Sequence, residues 1–257
     1  MKVEAYGITD IGKKRQKNED AFFINKNLNL YIVADGMGGH AAGEKASKYA
    51  VEVINQFIEH TQAGEELTWP FGYDTNLSLI ENRLKAAIHI AHKKIIEMAQ
   101  SDFNLKGMAT TIVTSIITNG LLYIGHVGDS RAYLIRYGKI IQLTTDHSWV
   151  NEQLRYGIIN AQQAKTHPFK NVVTRALGGP QKLEVDLITE KLINEDIILL
   201  CSDGLTSMVD DNDLITVILS FKNDIQIAAK KLIELANSKG GIDNITLILI
   251  QYLENVK

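Results

Sequence analysis

Apolar and polar positions repeat along this chain with two periods, and the switches between them mark its elements. Residues 28–34 (LNLYIVA) form a short apolar run with strand character, stopping at Asp35-Gly36, a turn signal. From Gly43 to about Glu59 the apolar positions Ala46, Ala50, Val53, Ile54 and Phe57 step by three or four, the stripe of a helix with one buried face. Leu77, Ile80, Leu84, Ile88, Ala91, Ile95 and Met98 predict a second helix over 76–100, with 60–75 connecting the two as an antiparallel pair. Strand character then returns. TTIVTSIIT (110–118), LLYIGHV (121–127), RAYLIRY (131–137) and KIIQLT (139–144) read as a strand meander. Asn119-Gly120 is its clearest hairpin turn, because both positions need positive φ.

Residues 147–180 hold short helical patterns at 148–156 and 160–166, then His167-Pro168 and Gly178-Gly179-Pro180, and predict a surface flap. A strand at 196–202, helices at 211–220 and 224–237, and a last strand at 245–253 follow. Strands and helices come in blocks without strict alternation, which predicts a layered α+β sandwich over a doubly wound parallel sheet. No repeat, low-complexity tract or Pro-rich linker divides the chain, so 1–257 is expected to be a single domain with 147–180 as a flap subdomain.

Composition narrows the function. At 257 residues and 45% hydrophobic content the chain can bury a sizeable core. A net charge of -3 leaves no broad basic face for nucleic acid or anionic lipid. The single cysteine, Cys201, lies in an apolar run; it excludes an internal disulfide and a Cys-based zinc site, reads as core, and suits a reducing cytoplasm. The first twenty residues lack a signal-length apolar core, and no apolar stretch reaches the roughly 18 residues that span a bilayer, so neither secretion nor membrane insertion is expected.

Five aspartates share a context. Asp20, Asp35, Asp129, Asp203 and Asp243 each sit at the end of an expected strand or in the turn beside one. One aspartate beside a glycine is ordinarily a turn former. Repeated after strands, they are expected to converge on one rim of the fold, where several carboxylates repel unless cations sit between them. Ligands that are all short carboxylates favour hard ions, Mn²⁺ or Mg²⁺, over zinc.

The motifs GxxxxxNED (12–20), DGMGGHxxGExAS (35–47), GMxTT (107–111), VGDSRxYL (127–134), LCSDGL (200–205) and GxxDNIT (240–246) together resemble the bacterial branch of the PP2C-type (PPM) family of metal-dependent serine/threonine protein phosphatases. The resemblance covers the chain almost end to end, with six separated motifs in family order. It implies a four-layer α-β-β-α sandwich of two antiparallel β-sheets flanked by helix pairs. It further implies two metal ions held by Asp20 and Asp35, with Asp35 bridging, completed by Asp203, Asp243 and the backbone carbonyl of Gly36. Asp129 with Asp203 would hold a third, weaker ion, Glu19 would act through bound water, and Arg15 would bind the substrate phosphate, its planar fork matching two phosphate oxygens. Lys13, Lys14 and Lys17 read as a solvated basic loop.

The implied reaction is attack on a phosphoserine or phosphothreonine phosphorus by a water or hydroxide shared between the ions, with no covalent phosphoenzyme. Many animal members carry a leaving-group histidine two residues after the bridging aspartate, where this chain has Met37; His40 is expected to be auxiliary, with a metal-bound water as the alternative proton donor. The implied partners are a bacterial serine/threonine kinase and its substrates, opposed in the cytoplasm by a monomeric enzyme. The alternative from another class is a silent phosphatase-like module that captures phosphorylated partners; retention of all five aspartates and Arg15 weighs against it. A third reading, a phosphoserine target on an anti-sigma-antagonist factor, usually goes with extra sensory domains. GMGGHAAGEKAS lacks the Gly-Lys-Ser/Thr of a nucleotide loop, Gly128-Asp129-Ser130 lacks the Asp-x-x-His of one serine esterase class, and His89 and His92 read as partly exposed helix residues.

Overall fold

In a computed structural model, which describes residues 2–38, 42–62, 69–180 and 182–254, the apolar run over 28–34 becomes strand β3 (Leu30–Met37). Successive side chains of a strand point to opposite faces. Leu30, Ile32 and Ala34 pack with helices α1 (Ala42–Gln62) and α2 (Leu79–Ser101), while Tyr31 and Val33 meet a second sheet. A strand covered on both faces is apolar throughout, which is why it shows no alternation.

Two antiparallel sheets result. One runs β2 (Asp20–Asn25), β3, β5 (Ile112–Thr118), β6 (Leu121–Val127), β9 (Asp186–Lys191), with the short β4 (Ala109–Thr110) against β3. The other runs β1 (Lys2–Asp10), β11 (Ile245–Leu253), β10 (Ile197–Cys201), β7 (Arg131–Arg136), β8 (Lys139–Gln142). Ile198, Leu200, Ile248 and Ile250 fill the space between the sheets with Tyr31 and Val33. Leu199, Cys201, Leu247 and Leu249, on the opposite faces of the same strands, pack under α6 (Asp211–Ser220) and α7 (Ile225–Ser238). Three apolar interfaces therefore separate four layers, as the resemblance implied. Local signals place the helix starts: Ser78 and Glu81 form a reciprocal capping box that begins α2.

Asn119 and Gly120 take φ of 52° and 74°, the turn expected between β5 and β6. The expected meander, however, is divided. β5 and β6 belong to one sheet, β7 and β8 to the other, and Gly128 (φ 117°) carries the chain across. A tight three-residue link between apolar runs resembles a hairpin in sequence, and only packing distinguishes it from a crossing between sheets. Strands β1, β2 and β9 went unmarked in the pattern because each lies at a sheet edge and is only partly buried along its length. Within 147–180 lie α3 (Trp149–Arg155) and α4 (Ala161–Thr166), tied back by bridges Ser148–Val173 and Thr110–Leu177. Part of the expected connector over 60–75 lies outside the described residues. Among the described residues no helix is long and apolar enough to cross a membrane.

Candidate metal centre

Asp20 and Asp35 stand directly opposite each other on β2 and β3. Like charges facing across an antiparallel pair destabilise it, so this register carries a cost that something must offset. The other carboxylates raise that cost. Asp129 lies in the crossing between β6 and β7; Asp203 opens the short helix α5 (Asp203–Thr206) after β10; Asp243 precedes β11. Burial, and after it the charges of Asp20, Asp203, Asp129 and Asp243, hold the Asp35 carboxyl well above the ordinary carboxylate range. All five aspartates thus converge on one rim of the fold, at the common end of the two facing sheets. β7, β10 and β11 lie in the sheet opposite β2, β3 and β6, so the turns carrying the aspartates meet across the sandwich.

Asp20, Asp129 and Asp203 feel the same field. Burial, with Asp203 and Asp243 nearby, pushes Asp20 up to about 7 despite hydrogen bonds from Ser202 and Thr246. Burial and Asp203 push Asp129 up to about 8. Asp203 is raised by burial and by Asp243. The Asp20 Oδ1 atom is buried with no hydrogen-bond partner among the described residues. An orphaned buried carboxylate oxygen among four more carboxylates fits a bound cation, and an all-oxygen set fits Mn²⁺ or Mg²⁺.

The supporting shell was only partly legible in sequence. Ser202 Oγ donates to Asp20 Oδ2 at 2.8 Å and accepts the Thr246 N–H at 3.0 Å, joining the two sheets at the site. Thr111 Oγ1 accepts the Asp35 N–H at 3.1 Å and lies 2.7 Å from Ser130 Oγ, linking Asp35 to the Asp129 turn. Asn244 accepts the Glu19 N–H at 2.8 Å and donates to the carbonyls of Ile11 and Lys17, which staples the loop carrying Arg15. Ser202, Thr246, Thr111, Ser130 and Asn244 sit inside the quoted motifs, yet their partners are remote in sequence and no local signal gives their roles. Gly36 lies where a Cβ would stand 2.1 Å from the Gly43 carbonyl. Gly36→Ala is therefore expected to cost about 1–3 kcal/mol of stability, read from urea unfolding in chelator.

Arg15 is exposed and its Nη2 donates to Asp243 Oδ2 at 2.7 Å, so the guanidinium stands at the edge of the carboxylate cluster. Glu19 is half-buried; its carbonyl receives the Gly36 N–H, and burial raises its carboxyl. Lys13, Lys14 and Lys17 are exposed, as a solvated loop requires. His40 lies outside the described residues. Cys201 is fully buried and its thiol is pushed up to about 12 by burial, so it is core. His89 stacks on Phe71 and His92 accepts the Gly178 N–H, both half-buried on α2 as expected. Beside the carboxylates a cleft of about 590 Å³ opens between Asp129, Asp203 and Met208 and the 147–180 segment, which contributes Leu154, Lys165 and Lys170.

The protein phosphatase 2C family matches residues 4–245. The chain is 42% identical over 249 residues to the serine/threonine phosphatase stp of Listeria monocytogenes, covering 95% of this chain and 93% of that one. Among solved structures it is similar to the Streptococcus agalactiae serine/threonine phosphatase at a TM-score of 0.85 and 37% identity, covering 98% of this chain and 100% of that one. It is also similar, at a TM-score of 0.83 and 30% identity over 98% of this chain and 99% of that one, to the catalytic domain of the phosphatase PstP in complex with two manganese ions. With the sandwich, the carboxylate cluster and these similarities together, the chain belongs to the protein phosphatase 2C family, in its bacterial branch of metal-dependent serine/threonine phosphatases.

Proposed function

We propose that this chain removes phosphate from phosphoserine and phosphothreonine in other proteins, using two divalent ions held by Asp20, Asp35, Asp203, Asp243 and the Gly36 carbonyl. The observation that carries this reading is the cross-strand opposition of Asp20 and Asp35, with three further carboxylates close enough to raise Asp35. When bound, the ions supply neutralisation of the phosphate dianion and an acidified water for in-line attack. Asp35, which feels the other four carboxylates, would be the ligand shared by the two ions, and Asp129 with Asp203 would hold a third, weaker one. Arg15 turns its fork from Asp243 to the substrate phosphate, an exchange of one anionic partner for another at an exposed position. Glu19 acts through water, and His40 assists without being the main proton donor. The 147–180 flap, walling the cleft beside Asp129, governs which phosphopeptides reach the ions. The chain acts as a single-domain monomer in the cytoplasm, opposing a serine/threonine kinase.

The test is phosphate release from a phosphothreonine peptide by chelator-stripped protein with no metal, with Mn²⁺ and with Mg²⁺, beside Asp203→Ala. Activity that needs added metal and disappears in the variant is expected. Metal-independent activity would overturn the proposal, and folded but inactive protein under every condition would favour a capture module.

A further inference from the structure

His126, His147 and Asp186, none of them among the five aspartates, bring their ligating atoms within 4.8 Å of one another. They have the composition of a transition-metal site, but the hydrogen bonding is wrong for one. His147 Nδ1 accepts the Gly128 N–H at 3.0 Å, so its lone pair is occupied. With Nδ1 accepting, Nε2 is the ring's N–H donor; it faces Asp186 Oδ2 at 3.1 Å, with Arg175 Nη1 3.5 Å away. Arg175 Nη1 lies 3.4 Å from Asp186 Oδ1, placing a fixed cation where a metal would have to compete. His126 packs its ring against His147 at 4.8 Å. The cluster is built to hold the orientation and tautomer of His147.

What His147 holds in turn is Gly128. Its backbone N–H donates to the Gly128 carbonyl at 2.7 Å while its ring accepts the Gly128 N–H, so one residue grips the peptide units on both sides of this glycine. A grip is needed there. Gly128 has φ 117°, and a Cβ would lie 2.5 Å from Thr111 Cβ, so the crossing between the sheets depends on a conformation that other residues rarely adopt. The next residue is Asp129.

We propose that His147, fixed by Asp186, is a positioning residue that sets the Asp129 carboxylate for the third, weaker ion. This rests on the reading of Asp129 as a metal ligand. His147 touches neither substrate nor ion; it acts through the Gly128 backbone, as outer-shell partners of metal ligands do. Its carbonyl accepts the Thr174 N–H at 2.8 Å, so the same residue joins the flap's far end to the Asp129 turn.

The experiment is calorimetric titration of chelator-stripped protein with Mn²⁺, resolving the weakest binding event, for wild type, His147→Leu, His147→Asn, Asp186→Ala and Asp129→Asn. His147→Leu is expected to weaken that event by ~10- to 100-fold while sparing the tighter ones, and His147→Asn, whose Oδ1 can still accept the Gly128 N–H, to restore most of it. Asp186→Ala frees the ring proton to move to Nδ1 and is expected to weaken the same event. Long-range ¹H–¹⁵N spectra of wild type should show His147 with its proton on Nε2. If Asp129→Asn removes the weak event but His147→Leu and Asp186→Ala leave it intact, the positioning role is wrong although Asp129 is a ligand. If Asp129→Asn changes no Mn²⁺ event, the ligand reading fails and the proposal with it. Should His147→Leu not fold, Asp186→Ala and His147→Asn decide: a weak event unchanged in Asp186→Ala overturns the proposal.

Discussion

Asp35→Asn is expected to lower phosphate release at saturating Mn²⁺ by roughly three orders of magnitude or more, the loss of several kcal/mol of charge stabilisation at the reacting phosphate. The same variant is expected to raise the melting temperature in chelator. The two results share one cause. Asp35 is surrounded by Asp20, Asp203, Asp129 and Asp243, and without cations its charge is opposed by burial and by each of them. Asparagine keeps the size of the side chain and one acceptor oxygen, exchanges the other for an NH₂ donor and removes the charge, so the metal-free fold loses a repulsion while the ions lose the ligand proposed to bridge them. Scanning calorimetry in chelator and in Mn²⁺, beside the peptide assay, checks both. A variant that melts lower than wild type in chelator would mean that the Asp35 charge stabilises the fold, and the metal-centre account would fail.

Metal-free protein should lose stability as pH rises from about 4 to about 8, and saturating Mn²⁺ should flatten that dependence. Asp20 and Asp129 have folded-state values of about 7 and about 8 against an ordinary 3.8, with burial the first cause for each. A carboxyl whose value is raised on folding binds protons more tightly in the native state than in the unfolded one. Its contribution is fully present below the unfolded value and is lost as pH passes through the folded value. Cations that bind only the native state replace those protons, so the benefit of Mn²⁺ should be largest near pH 8, and binding near pH 7 should release protons into a weak buffer. Melting temperatures from pH 5 to 8.5 with chelator or Mn²⁺ give the answer. Stability that rises with pH in chelator would show that the carboxyls are satisfied without metal.

The interior layers were legible because burial leaves a mark on composition. β3, β5, β6, β10 and β11 are covered on one or both faces and appear as apolar runs; α1, α2, α6 and α7 show the three-to-four stripe of a single buried face. The edge strands β1, β2 and β9 carry mixed side chains and show neither pattern. Helix ends followed local chemistry, as at Ser78 and Glu81, so the boundary of α2 differs from the periodic estimate by about a turn.

The sequence by itself determined the residue types of the site: five aspartates in strand-flanking turns, one arginine in a basic loop, and the all-oxygen donor set that selects hard ions. These are properties of side chains and of their immediate neighbours. Only the tertiary structure decided that the aspartates meet between two sheets, that Asp20 faces Asp35 in register, that Ser202 and Thr111 brace them, that Asn244 staples the Arg15 loop through Glu19, and that His147 grips Gly128. Each of these pairings except Asp20 with Asp35 joins residues at least 19 positions apart, and even that one depends on a strand register fixed by packing of the whole layer. Long-range contacts arise from layers closing on one another, and no window along the chain contains them.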